Sequence, residues 1–204
     1  MAGRYPFPAG PDGWFSPLAS DALGVGEVVP LSTLGTELVA FRTEDGAAHV
    51  FGAHCPHLGA HLGHGGTVCD GALVCPFHGW TFAGDGTVVA VPGLDRTPPR
   101  APARAWEVCE ANGRLFVWHH AGGAPPSFPV RSYRDDGAEW TPWQVNTYRV
   151  RVAVQGLTEN IIDRSHFWTV HDMEAPEDAR QDVVFDGPTM TVDQRIKVTA
   201  VAAS

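Results

Sequence analysis

The chain has 204 residues and a formal net charge of −9, with 44% hydrophobic and 18% charged residues. The length allows one large or two modest domains around a real hydrophobic core. The acidic balance excludes a sequence-independent nucleic-acid or anionic-membrane binder, and no apolar run reaches the roughly 18 residues of a membrane span. The 23 Gly and 17 Pro far exceed the roughly one-eighth share of average proteins, which favours short strands and many turns. The start, Met1-Ala-Gly-Arg-Tyr-Pro-Phe-Pro, has no apolar export segment and no twin arginine. Four Cys are too few for a disulfide scaffold, so the expected location is reducing and cytoplasmic.

In chain order, residues 1–13 read as an extended, Pro-rich arm. From Trp14 to about His120 the signals are β. Glu37-Leu-Val-Ala-Phe and Ala48-His-Val-Phe flank Glu44-Asp-Gly46, a hairpin signature. Trp80-Thr-Phe and Thr87-Val-Val-Ala-Val flank Gly84-Asp-Gly86, and Trp106-Glu-Val-Cys and Arg114-Leu-Phe-Val-Trp flank Asn112-Gly113. Together they predict a small antiparallel β domain over 14–120. Ala121 to Pro129 is rich in Gly and Pro and marks a linker over 121–130. Beyond it, in 131–204, alternation predicts strands over Trp143 to Val154 and Thr191 to Ala203, with a helix capped by Thr158 running to about Thr169. No internal repeat is evident.

Cys55-Pro-His57 is followed, after seventeen residues, by Cys75-Pro-Phe-His78. Each half offers one thiolate and one imidazole from a short loop stiffened by Pro. A tetrahedral zinc site is the first alternative, yet zinc modules usually pair Cys with Cys and His with His. Two mixed Cys/His halves suit two irons, one held by two Cys and the other by two His, as in Rieske [2Fe–2S] ligation. Cys69 and Cys109 read as ordinary small residues. His54, His61 and His64 crowd the first loop without a place among the four ligands, and His119 and His120 read as solvated.

On these residues the chain resembles the Rieske family, whose motif is C-x-H and then C-x-x-H after fifteen to seventeen residues. High-potential members carry a second Cys in each loop and a Ser after the second His-Gly. Here those positions hold Ala60, Phe77 and Trp80, so the resemblance implies the lower-potential ferredoxin and oxygenase type.

Glu159-Asn-Ile-Ile-Asp163-Arg-Ser-His166-Phe-Trp-Thr-Val-His171 is the second informative stretch. Asp163 and His166 share a face of a continuous helix. His171, five residues later, converges with His166 only if the helix ends or bulges near Thr169-Val170. An amphipathic helix with incidental His is the alternative. The stretch resembles D-x-x-H-x-x-x-x-H of Rieske non-haem iron oxygenases. The resemblance implies that His166 and His171 bind a mononuclear Fe(II), with a carboxylate from much later completing the triad. It implies that Asp163 bridges His166 to a cluster His, His78, of a neighbouring subunit. Asp172, Glu174, Glu177, Asp178, Asp182, Asp186 and Asp193 follow His171, and none matches the family's third-ligand position. The expectation is therefore a C-terminally truncated oxygenase, inactive as it stands.

The expected fold is a mainly β N-terminal Rieske domain followed by the start of an α+β catalytic domain. The resemblance implies electrons from an NAD(P)H-dependent reductase, O2 as co-substrate, and hydroxylation or desaturation. His54-Cys-Pro-His-Leu-Gly-Ala-His-Leu-Gly-His-Gly-Gly and Leu115-Phe-Val-Trp-His-His look like the branch of ketosteroid 9α-hydroxylases and cholesterol 7-desaturases, which implies a sterol or steroid substrate and a homotrimer. A Rieske ferredoxin-like electron carrier and an aromatic-ring-hydroxylating oxygenase subunit are the alternatives.

Overall fold

A computed structural model describes residues 10–96, 102–133, 139, 146–171, 173, 174, 177, 180–187 and 189–194. The chain divides into two compact units, one over Gly10–Asn146 and another from Thr147 onward. In the first unit the strands are β1 (Gly13–Ala19), β2 (Val28–Thr33), β3 (Thr36–Arg42), β4 (Ala48–Gly52), β5 (Thr67–Cys69), β6 (Ala72–Val74), β7 (Thr81–Ala83), β8 (Val88–Ala90), β9 (Ala105–Trp106), β10 (Val108–Ala111) and β11 (Arg114–His119). They form three sheets, in the orders β1-β11-β10, β2-β3-β4-β9 and β5-β6-β7-β8. Every pairing is antiparallel, as the mainly β expectation requires.

The three hairpins expected from the sequence all form. The β10–β11 turn has positive φ at both Asn112 (53°) and Gly113 (70°), the type I′ geometry for which Asn-Gly is suited. Two more hairpins join β2 to β3 and β5 to β6. Their turns also carry paired positive φ, at Leu34-Gly35 and Asp70-Gly71.

Period-two alternation in β3 decides how the layers stack. Val39 and Phe41 enter a core shared with Phe51, Leu73, Phe82 and Val88, while Leu38 and Ala40 enter another with Val50, Leu115 and Val117. The sheet holding β3 is thus covered on both faces, which explains why Leu38 through Phe41 are all fully buried. The first of these cores includes Cys55 and Cys75, so the loop thiols grow directly out of packed β structure.

Arg42, at the end of β3, ties three segments together. Its Nε donates to the Leu23 carbonyl at 2.8 Å, Nη1 to Gly46 at 2.7 Å and Nη2 to Ser20 at 3.1 Å. A bidentate pair to Glu110 at 2.8 and 2.9 Å completes the set. Replacing Arg42 by Met strands these acceptors and is expected to lower unfolding stability by about 2–4 kcal/mol in urea titrations. Glu110→Gln is milder, about 1 kcal/mol, because the carboxylate is partly solvated. Hydrogen bonding to Arg42 holds the Glu110 carboxyl below its ordinary range. That contribution is complete above the unfolded-state carboxyl pKa and disappears as pH falls through the lower folded value. The gap between parent and Glu110→Gln should therefore close in strongly acidic buffer.

In the second unit, helices α1 (Val154–Ile162) and α2 (Ser165–Thr169) precede β12 (Gln181–Asp186) and β13 (Thr189–Gln194), an antiparallel pair in register from Gln181↔Gln194 to Asp186↔Thr189. Three expectations are corrected. Residues 146–153 are not strand, and 143–145 lie outside the described residues. The helix starts at Val154, four residues before Thr158, whose hydroxyl donates back to the Val154 carbonyl at 3.1 Å. A Thr hydroxyl satisfied within the helix has no capping role. The helix is also broken in two at Asp163-Arg164. The later strand covers Thr191–Gln194 of the expected stretch, and 195–203 lie outside the described residues.

The stretch expected as a linker lies within the first unit and is tied to its strands: Trp14 Nε1 donates to Phe128 O at 2.7 Å and Trp118 Nε1 to Ala124 O at 2.8 Å. Among the described residues no helix is long and apolar enough to cross a membrane.

Candidate metal centres

The two Cys/His loops share a backbone hydrogen-bond pattern. In the loop between β4 and β5, the Cys55 N–H donates to Ala60 O and the Gly59 N–H to Cys55 O, both at 2.9 Å. In the loop between β6 and β7, Cys75 donates to Trp80 O at 2.8 Å and Gly79 to Cys75 O at 3.1 Å. Gly59 (φ 75°) and Gly79 (φ 67°) occupy the left-handed region that closes each loop. A Cβ on Gly79 would also lie 2.9 Å from Pro92 Cγ. This short repeat is invisible as sequence similarity, because only Cys, Pro and Gly recur at equivalent places.

The loops sort their side chains by depth. Cys55 and Cys75 are each 3% exposed, whereas His57 and His78 are exposed. The two imidazoles lie with ring centroids 4.8 Å apart and planes at 67°. Burial pushes the Cys55 thiol up, and the backbone N–H groups of His57 and Leu58 directed at it act in the opposite sense. N–H groups aimed at a sulfur stabilise it as a thiolate ligand. All four cysteines are unpaired, so no disulfide flanks the loops. A deep pair of soft sulfur donors beneath a surface pair of nitrogen donors fits the donor set of a [2Fe–2S] group.

Aromatic groups frame the imidazoles. Trp80 is stacked on His57 with centroids 4.6 Å apart and planes at 10°, and Phe77 lies against His78 at 3.9 Å. Leu58 and Phe77 are 65% and 61% exposed and form an apolar rim. His54, His61 and His64 pack on one another beside the first loop, with centroids 5.3 and 4.2 Å apart. The Gly63 N–H donates to His61 Nδ1 at 3.1 Å. Burial, and then the neighbouring His64 and His54, hold the His61 imidazole below its ordinary pKa.

In the second unit, the interruption after α1 places the expected residues. Asp163 closes α1 with its N–H on Glu159 O at 2.9 Å. Its carboxylate accepts from both the amide and the hydroxyl of Ser165, which holds the carboxyl below its usual range. His166 Nδ1 bonds to the Asp163 carbonyl. A carbonyl only accepts, so Nδ1 carries the proton and Nε2 keeps the free lone pair. Helix α2 ends at Thr169, and the Met173 N–H reaches back to Phe167 O at 3.0 Å. His166 and His171 consequently meet with ring centroids 5.3 Å apart and planes at 70°. The helix end predicted near Thr169-Val170 is present. The shared helical face of Asp163 and His166 is not, because the backbone carbonyl of Asp163 makes that contact. Among the described residues no three His, Cys, Asp or Glu side chains gather as a group able to hold one ion.

Residues 13–109 match the family described as the Rieske [2Fe-2S] domain. Residues 117–203 match the 3-ketosteroid 9alpha-hydroxylase C-terminal domain. The chain joins a Rieske domain to a ketosteroid-hydroxylase C-terminal domain. It is 37% identical over 174 residues to a cholesterol 7-desaturase of Bombyx mori, covering 84% of this chain and 37% of that protein. It is 38% identical over 167 residues to a probable 3-ketosteroid-9-alpha-monooxygenase, oxygenase component, of Rhodococcus rhodochrous, covering 79% and 40%. A solved structure of dicamba monooxygenase bound to dicamba aligns with a TM-score of 0.71 at 25% identity, covering 89% of this chain and 55% of that one. The chain thus spans about two fifths of the length of these curated relatives. Within the Rieske match, residues 13–109 contain both ligand loops and every strand from β1 to β9.

Proposed function

We propose that this Rieske family chain is the oxygenase component of a sterol- or steroid-modifying system. The observation that carries the reading is the succession, in one chain, of a Rieske domain match and a 3-ketosteroid 9alpha-hydroxylase C-terminal domain match. Cys55 and Cys75 would hold one iron of a [2Fe–2S] cluster, and His57 and His78 would hold the other. His166 and His171 hold a mononuclear Fe(II), a role supported by their convergence and by the non-haem iron named for dicamba monooxygenase. When bound, the cluster supplies one-electron transfer and the Fe(II) supplies oxygen activation for hydroxylation or desaturation.

The chain's residues do the positioning. The Asp163 carbonyl fixes the His166 tautomer so that Nε2 faces outward as a ligand. The Asp163 carboxylate, kept ionised by Ser165, bridges to His78 of a neighbouring subunit in a homotrimer. The apolar rim of Leu58 and Phe77 excludes water where subunits meet. An NAD(P)H-dependent reductase is the electron source, O2 the co-substrate, and the cytoplasm the location.

The test is product analysis. The protein, expressed from its complete reading frame, is incubated with NADH, a reductase, O2 and either a 3-ketosteroid or cholesterol. A product heavier by one oxygen marks hydroxylation, and one lighter by two hydrogens marks desaturation. Electron transfer to an external acceptor with no steroid product would favour the electron-carrier alternative.

A further inference from the structure

The matching backbone hydrogen bonds of the two ligand loops make their one large difference informative. Five residues after each Cys, the first loop has Ala60 and the second has Trp80, each accepting the Cys N–H through its carbonyl. From that position the Trp80 side chain crosses to the opposite loop. It lies parallel to the His57 ring, 4.6 Å away and tilted by only 10°. Trp80 is itself 9% exposed and belongs to the core that contains Cys55, Cys75 and Phe82. His78 has no equivalent cover: the matching position is Ala60, and its aromatic neighbour Phe77 is tilted by 37° and solvent-exposed.

We infer that Trp80 is a positioning residue that clamps the His57 imidazole across the two loops, making the two histidines of the site inequivalent. The inference rests on His57 being a cluster ligand as proposed above. A histidine χ2 torsion is broad, so a ligating ring needs an outside contact to fix its plane. Near-parallel aromatic stacking adds about 0.5–1.5 kcal/mol beyond burial, and here the indole is anchored in the core. His57 is thereby held before any metal arrives by a ring rooted in the core, while among the described aromatic rings His78 meets only His57 and the exposed Phe77.

The clamp also has an electronic sign. An electron-rich indole face favours the more electron-poor ligand of the oxidised site. It also keeps water from the His57 side, where water would stabilise the extra negative charge gained on reduction. Both effects hold the potential down, so loss of the indole raises it.

Trp80→Leu fills the core without stacking, and Trp80→Phe keeps a stacking ring. Iron and acid-labile sulfide are measured first on the parent; their absence there overturns the cluster reading, not the clamp. Given a loaded parent, Trp80→Phe is expected to keep the parent EPR line shape and a potential within about threefold of the parent one-electron equilibrium. Trp80→Leu is expected to shift that equilibrium about tenfold toward reduction, about 59 mV, with altered g-values. Loss of the cluster in Trp80→Leu but not Trp80→Phe equally supports a clamp on a ligand. The inference is overturned if Trp80→Leu retains the parent potential and line shape, since Trp80 then only fills the core. It is also overturned if Trp80→Phe fails as Trp80→Leu does.

Discussion

Replacing either His57 or His78 by Ala should abolish the rhombic EPR signal of the dithionite-reduced protein, and Cys55→Ala or Cys75→Ala should do the same. On the proposed assignment each residue is one of only two protein ligands on its iron, so no neighbour could make good its loss. The geometry sharpens the expectation. The thiols are rooted in the core beside Phe41, Phe51 and Phe82, and each loop is closed by backbone bonds that hold one Cys at a fixed depth. No other Cys lies in that core: Cys69 is exposed and Cys109 half-buried. His54→Ala and His61→Ala are the controls. Those rings sit within reach of the first loop, yet they pack on each other and on His64. Their removal should leave the signal intact. Loss of the signal in either control would mean that the ligand set is wrong.

Substitutions in the second unit should separate ligands from the bridge. In protein expressed from its complete reading frame, His166→Ala or His171→Ala should remove mononuclear iron and product formation while the reduced-cluster EPR signal stays unchanged. The opposite pattern is expected at Asp163. Asp163→Asn keeps an acceptor for the Ser165 amide, since Asn caps about as well as Asp, and it leaves the carbonyl that orients His166 in place. Only the charge is lost. Mononuclear iron should therefore remain largely bound, while reduced protein mixed with O2 and steroid in stopped-flow should reoxidise about 10–100-fold more slowly than the parent. Reoxidation at the parent rate would remove Asp163 from the electron path. Loss of iron equal to that in His166→Ala would make it a ligand instead.

How much of this was legible in the sequence differs between the units. Asn112-Gly113 announced its hairpin because positive φ at two adjacent positions restricts residue choice sharply, and Gly84-Asp-Gly86 announced its own through the single positive φ at Gly86. Asp70-Gly71 carries the same signal as Asn112-Gly113, yet the strands it joins, Thr67–Cys69 and Ala72–Val74, are too short to show the alternation that would identify a hairpin. Leu34-Gly35 could not be read, since Leu seldom adopts φ near 55°. The four loop residues proposed as ligands stand out by spacing alone. Their depth does not: nothing in Cys-Pro-His and Cys-Pro-Phe-His says that the sulfurs are buried and the imidazoles exposed. Nor does sequence distance suggest that Trp80 stacks on His57, because the contact crosses between loops. In the second unit the period from Glu159 to Thr169 predicted one helix. The break at Asp163-Arg164 arises where the Asp163 carboxylate turns to the Ser165 amide, a local competition with the helix that periodicity does not register.

The most direct test of the central assignment is metal and sulfide analysis of anaerobically purified protein. Two acid-labile sulfides and at least two irons per chain, with a rhombic EPR signal on reduction and a potential below that of disulfide-flanked Rieske centres, are the expected result. One zinc per chain with no sulfide would contradict it, turning Cys55, His57, Cys75 and His78 into a tetrahedral zinc site.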